Sequence, residues 1–225
     1  GYKALYCNTT GSHNFASGYQ ALFYNTTGNN NFAQGINALY GNTTGCNNTA
    51  QGYLALKCNT TGSNNIAQGY SALRCNTTGN NNTAIGGNAL RCNTTGSNNF
   101  AQGYQALFYN TTGCNNTAIG YNSLAVNSTG TQNTAIGSLA LDSNTIASDN
   151  TAIGYNALTA NTTGTQNTAI GSLSLDSKAS RFLITIFQTL CNNINNIEND
   201  VVVINWSEPV RHRMVDTVLD KWRTV

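Results

Sequence analysis

Apolar positions along this chain follow neither a sustained helical period nor a simple alternation. They recur as fixed points of a 17-residue unit. Leucine stands at Leu5, Leu22, Leu39 and Leu56 and continues at that interval to Leu175. Glycine leads each unit, from Gly1, Gly18 and Gly35 to Gly171, and an alanine precedes each later glycine by two positions, from Ala16 to Ala169. No insertion or deletion breaks the phase between residues 1 and 177. Self-similarity at a short fixed period marks a repeat architecture, in which one unit cannot bury its apolar face alone.

One unit reads Gly-Tyr-x-Ala-Leu-x-x-Asn-Thr-Thr-Gly-x-Asn-Asn-Thr-Ala-Ile. Two short strands are expected in it, Asn-Thr-Ala-Ile before the glycine and Tyr-x-Ala-Leu after it. The Asn-Thr-Thr-Gly-x-Asn stretch is turn chemistry, with glycine supplying positive φ and asparagine tolerating left-handed geometry. Interior glycines and Asn-Thr runs oppose a helix. The expected fold is therefore all-β: a parallel β-solenoid, or β-roll, of ten 17-residue coils over residues 1–177. With a rise of ~4.8 Å per coil, such a rod is ~48 Å long.

The positions flanking each repeated alanine carry a second pattern. They pair Phe32 with Gln34, Ile66 with Gln68 and Phe100 with Gln102, but Thr83 with Ile85, Thr117 with Ile119, Thr134 with Ile136 and Thr168 with Ile170. Each pair holds one large apolar residue; Thr49 with Gln51 is the exception. Residues two apart share one face of a strand, so the pattern predicts a volume constraint on a packed face.

Residues 178–225 abandon the repeat. Arg181–Leu190 and Val201–Trp206 are strand candidates, and Ser207-Glu208-Pro209 has the form of a helix start. Val210, Met214, Val218 and Trp222 then give one apolar stripe. The expectation is a short mixed α/β cap or oligomerisation segment built on Phe182, Ile184, Phe187, Trp206 and Trp222, covering the exposed end of the sheet. A tail without such a role is the plainer alternative.

Charged residues make up only 8% of the chain, against roughly 25% in ordinary soluble domains. No stretch approaches the ~20 continuous apolar residues of a spanning helix, so no membrane insertion by this segment is expected. The net charge of +2 from sparse Lys and Arg gives no nucleic-acid footprint. The chain opens at Gly1 already in phase and shows no signal peptide, which reads as a fragment of something longer.

Few groups suggest chemistry. Cys58, Cys75 and Cys92 share one repeat position on successive coils, and Cys46 and Cys114 share another. Without a Cys-x-x-Cys, and with only His13 and His212 to assist, zinc is not expected. The thiols read as reduced small hydrophobes in a column, where Tyr24, Tyr109 and Val126 also occur. Lys57, Arg74 and Arg91 form a basic ladder beside them. A strip for sulfated or sialylated glycans is one reading of it, and a solvated face is the preferred one. Asn8, Asn25, Asn42, Asn59, Asn76, Asn93, Asn110, Asn127 and Asn161 each open a formal N-glycosylation acceptor, as do Asn47, Asn81, Asn115 and Asn205. Glycans on every coil would crowd at ~4.8 Å, so a ladder of stacked Asn and Thr side chains is preferred. No catalytic set, cofactor motif or phosphate loop is legible, and an enzyme is not expected.

The runs Asn133 to Gly137, Asn150 to Gly154 and Asn167 to Gly171 resemble the head repeats of trimeric autotransporter adhesins and the similar repeats of phage and large-virus tail fibres. The resemblance covers residues 1–177. It implies a left-handed β-roll assembled as a homotrimer, displayed outside the cell or on a virion, and used for attachment to a host-surface glycan or protein receptor. The unit here is longer than the adhesin repeat, through its Asn-Thr-Thr-Gly loop, and Gln replaces Ile at Gln34, Gln51, Gln68 and Gln102. The function expected is thus a fibre or adhesin element. The alternatives are an ice- or crystal-binding solenoid and a structural filament subunit with no ligand.

Overall fold

The computed structural model describes residues 1–176, all within one unit, Gly1–Ser180. The residues singled out as a cap, Phe182, Ile184, Phe187, Trp206 and Trp222, lie outside the described part, as do Cys191, Asn205 and His212. Ten three-residue strands run from β1 (Phe15–Ser17) and β2 (Phe32–Gln34) at a constant interval to β10 (Thr168–Ile170). They form one parallel sheet in sequence order, each strand pairing in register with the next, so that Ala16 meets Ala33 and Ala152 meets Ala169. The fold is the expected β-solenoid with 17-residue coils, and the described residues contain no helix.

Hydrogen bonding between coils extends well beyond the three strand residues. On one coil the amides of Leu56, Cys58, Thr60 and Ile66 all donate to carbonyls of the following coil. Those of Leu54, Asn64 and Gly69 donate to the preceding one. Backbone pairing between coils therefore runs around most of the circumference, as burial against neighbouring coils requires.

The Tyr-x-Ala-Leu segment is not a second strand. Ala55 and Leu56 are adjacent in sequence yet both fully buried, which an alternating strand does not permit. The backbone explains this: every residue of the Leu5 column has φ between 49° and 54°, and the residue two before it is also left-handed. Left-handed geometry costs a non-glycine residue ~1–2 kcal/mol. Burying the leucine returns ~1.5–3 kcal/mol, and the same geometry aims its amide at the next coil. Burial and hydrogen bonding together hold leucine where glycine or asparagine is usual.

The interior is narrow. It holds the Leu5 column and the alanine columns beginning at Ala4 and Ala16. Where Ser123 replaces an alanine of the Ala4 column, its hydroxyl donates to the Gly120 carbonyl at 3.1 Å, so the buried oxygen is satisfied. Inside each strand only the central alanine faces inward. The flanking columns, Phe15 to Thr168 and Ser17 to Ile170, lie on the outer surface, exposed at the end strands (Phe15 50%, Ile170 69%) and mostly half-buried by their column neighbours in between. The volume pattern of these pairs therefore does not arise from packing inside this coil.

Glycine at the head of each coil meets two constraints. Its φ lies between 118° and 143° from Gly18 to Gly171, a region open to glycine alone. A Cβ on Gly86 would also lie 2.6 Å from the Gly103 carbonyl oxygen, whereas one on Gly171 meets nothing within 4 Å among the described residues. Gly86→Ala is therefore expected to lower the thermal midpoint markedly, and Gly171→Ala much less. Circular dichroism melts of the two variants check this; equal midpoints would show that the close approach does not matter.

Candidate functional site

The loop after the leucine closes around two columns of asparagine amides. In the Asn8 column, Asn76 donates Nδ2 both to Asn59 Oδ1 of the preceding coil (2.8 Å) and to the Gly79 carbonyl of its own (3.0 Å). Its Oδ1 accepts Nδ2 of Asn93 at 2.8 Å. The same arrangement runs from Asn8 to Asn161, and Asn25 through Asn144 are fully buried. The Asn14 column forms a parallel ladder. Asn65 donates both its backbone amide and its Nδ2 to Asn48 Oδ1, at 3.0 and 3.2 Å. It also donates Nδ2 to the Gly79 carbonyl, at 2.9 Å. One glycine carbonyl per coil thus receives an amide from each column and ties the two ladders together.

This geometry explains the loop glycine, which is not at positive φ as the sequence pattern suggested. A Cβ on Gly79 would lie 2.3 Å from the Gly96 carbonyl oxygen and 2.5 Å from Asn76 Oδ1. Close approach to the ladder, not dihedral freedom, selects glycine there. The left-handed position of the loop is instead the asparagine column that includes Asn30, Asn47 and Asn64. Threonine also differs from the simple stacked picture. Thr60 Oγ1 bonds the Thr77 backbone carbonyl (3.0 Å), which further receives the amides of Thr60, Thr61 and Gly62 at 2.9–3.3 Å. The hydroxyls reinforce a backbone acceptor and do not bond one another.

Placed in the fold, the formal glycosylation acceptors separate into two groups. Asn25, Asn42, Asn59, Asn76, Asn93, Asn110 and Asn127 have both Nδ2 hydrogens engaged inside the rod and are fully buried. Asn8 and Asn161 terminate the same ladder, each with Nδ2 donated to its loop glycine. A glycan on a fully buried Nδ2 would replace a ladder bond and displace the next coil. Asn47, Asn81 and Asn115, by contrast, are exposed, and they fall on alternate coils.

The outer surface carries side-chain columns that vary from coil to coil. One begins with the stacked rings of Tyr6, Phe23 and Tyr40, at centroid separations of 5.3 and 5.4 Å. It continues with Lys57, Arg74 and Arg91 and returns to an aromatic at Phe108, whose centroid lies 5.4 Å from the Arg91 guanidinium. A second column contains the stacked pairs Tyr2–Tyr19, Tyr53–Tyr70 and Tyr104–Tyr121. Lys3 Nζ sits 5.4 Å from the ring centroids of both Tyr2 and Tyr6, so these two columns border one strip.

The six described cysteines are all free thiols. Burial pushes the Cys58 and Cys92 thiols above their ordinary value, with Cys75 adding to the effect and the neighbouring cations opposing it. Among the described residues no cluster of His, Cys, Asp or Glu could hold a metal ion, and no helix is long and apolar enough to cross a membrane. Comparison of the chain with family models, curated proteins and solved structures found no match.

Removing one interior ladder amide strands its partners on both sides. Asn76→Ala leaves Asn59 Oδ1 and one Asn93 Nδ2 hydrogen buried without partners, at ~1–3 kcal/mol for each unsatisfied group. Asn8→Ala, at the open end, strands fewer. Denaturant unfolding should show a loss of several kcal/mol for Asn76→Ala and a clearly smaller one for Asn8→Ala. Similar losses would mean the column is not a cooperative unit.

The same burial makes N-glycosylation incompatible with coil closure. Chain routed through a eukaryotic secretory pathway should acquire glycans on its unfolded Asn-Thr-Thr sites and fail to form the solenoid, whereas chain made in a bacterial cytosol folds. Site mapping by mass spectrometry with circular dichroism tests this. Folded chain glycosylated at Asn59 or Asn76 would contradict the ladder geometry.

Proposed function

We propose that the chain is a structural fibre element, a rigid rod displayed on a virion or cell surface for attachment or spacing, and that it assembles as a homotrimer. The observation that carries this reading is the outer strand face. Phe15 and Phe32 stack at 4.7 Å on the outside of the sheet, followed along the rod by Ile66, Ile85, Phe100, Ile119, Ile136, Ile153 and Ile170. Close packing against sister chains accounts for one large apolar residue per pair on a face that the coil's own core does not use. A thin coil with one leucine and two alanines inside also gains little apolar burial against its backbone entropy, which favours association. The resemblance of the repeats to adhesin heads and tail fibres supports a trimer with a left-handed coil. No catalytic role is proposed.

A second reading, ice or crystal binding, has one observation in its favour. Thr117, Thr134, Thr151 and Thr168 form an outward rank beside Ile119, Ile136, Ile153 and Ile170 on one parallel sheet. This regular array lies on the strands and not in the Asn-Thr-Thr-Gly loop. Sedimentation equilibrium of the full chain separates the readings, with a trimer expected at micromolar concentration. A folded monomer that depresses the freezing point below the melting point would overturn the fibre reading in favour of the second.

A further inference from the structure

The Tyr6 column is aromatic over its first three coils and then places cations on three successive ones, Lys57, Arg74 and Arg91. Coil stacking separates neighbours by only ~4.8 Å, and like charges directly opposite on adjacent strands are destabilising. Nothing in the described rod offsets them. The first acidic residue of the chain is Asp142, three coils beyond Arg91. That is ~14 Å along the axis, against a Debye length of ~8 Å at physiological salt.

Hydrogen bonding within the described residues does not hold the cationic heads. The Nε of Arg74 is enclosed and has no partner there. Arg91 is fixed at one end of the ladder by its contact with the Phe108 ring. On the neighbouring column, in the coils of Lys57 and Arg74, Tyr53 and Tyr70 stack at 5.4 Å with ring planes 16° apart. One face of each ring covers the other, and both side chains remain exposed, Tyr53 at 45% and Tyr70 at 58%. The intervening Leu54 and Ser71 are buried, so no charge separates hydroxyls from cations.

We propose that the Lys57–Arg74–Arg91 ladder, with Tyr53 and Tyr70 beside it, binds a linear anionic polysaccharide running along the rod axis. Its sulfate or carboxylate groups accept from the three cations, and its hydroxyls meet the tyrosine hydroxyls. Single-stranded nucleic acid fits less well, because three cations on a chain of net charge +2 supply little of the basic groove that tracks its backbone. The inference rests on the attachment reading for its biological sense and names the ligand class of that reading. It does not require a trimer, so sedimentation and polysaccharide binding can fail separately.

The test is calorimetric titration of the full chain with heparin, with a carboxylate-only polysaccharide of similar length, and with a single-stranded oligonucleotide. Heparin or the carboxylate polymer should bind, and added salt should weaken that binding steeply as displaced counterions are returned. Which of the two binds more tightly assigns the anion. The combined Lys57→Gln, Arg74→Gln, Arg91→Gln variant should lose binding by on the order of tenfold or more, while Lys3→Gln leaves it unchanged. Without ligand that variant should melt higher than the parent, because repulsion is relieved. The polysaccharide should raise the midpoint of the parent only. Absence of binding to either polysaccharide at low salt, undiminished binding by the triple variant, or preference for the oligonucleotide would each overturn the proposal.

Discussion

Everything in this rod depends on amide groups being buried in columns where each satisfies the next. A primary amide has two donor hydrogens and two acceptor sites, and the coil geometry engages both hydrogens of an interior ladder asparagine. Two such ladders meet at one glycine carbonyl per coil. The result is a wide turn packed from within by polar groups that carry no desolvation deficit. An apolar residue of similar size in either column would remove one of that carbonyl's two donors and leave the neighbouring ladder amides unpaired, at ~1–3 kcal/mol for each unsatisfied group. This is why the Asn8 and Asn14 columns hold asparagine on every one of the ten coils, while an outer column such as the one beginning at Tyr6 changes along the rod.

The ladder also relieves the apolar core of work it could not do alone. Alanine and leucine columns supply modest burial per coil, and three residues of each coil stand in left-handed geometry. Neither feature would suit an isolated unit. Stacking resolves both, because each added coil satisfies the amides left open by the one before, and stability then accrues from nearest-neighbour contacts. The single departure of the loop glycine, Ala147, still offers its carbonyl to Asn133 and Asn144 at 2.9 and 3.0 Å, so the acceptor matters more than the residue that carries it.

The period, the parallel coil and the stacked asparagines of the Asn8 column were all legible in the sequence, since each is a strict repetition with one sensible physical cause. The second ladder was not. Its asparagine sits beside another, as in Asn47-Asn48, and composition alone cannot tell the buried partner from the exposed left-handed one. Tyr-x-Ala-Leu looked like a strand because it has the right residue types, and left-handed leucine has no signature in a pattern of apolar positions. The flanking pairs Thr83 with Ile85 and Phe100 with Gln102 signalled a real regularity. The side of the sheet they occupy is set by the central alanine of each strand, which packs inward beside the leucine column and turns its two neighbours outward.

Within the described rod, interior and exterior obey different rules, and this bears on where function can reside. Columns fixed by geometry have no freedom to encode a ligand. The Tyr6 column has that freedom and runs through Tyr, Phe, Tyr, Lys, Arg, Arg, Phe, Ala, Asp and Thr on successive coils. Its cations lie in the first six coils, and its one carboxylate, Asp142, lies in the ninth, where burial raises it above the ordinary carboxylate range. Three adjacent cations repel one another, and that repulsion is a cost to the rod whenever no anion lies beside them. A ladder that keeps them together, on a scaffold otherwise built almost without charge, is the place on the described rod where the proposed polysaccharide would relieve the most repulsion.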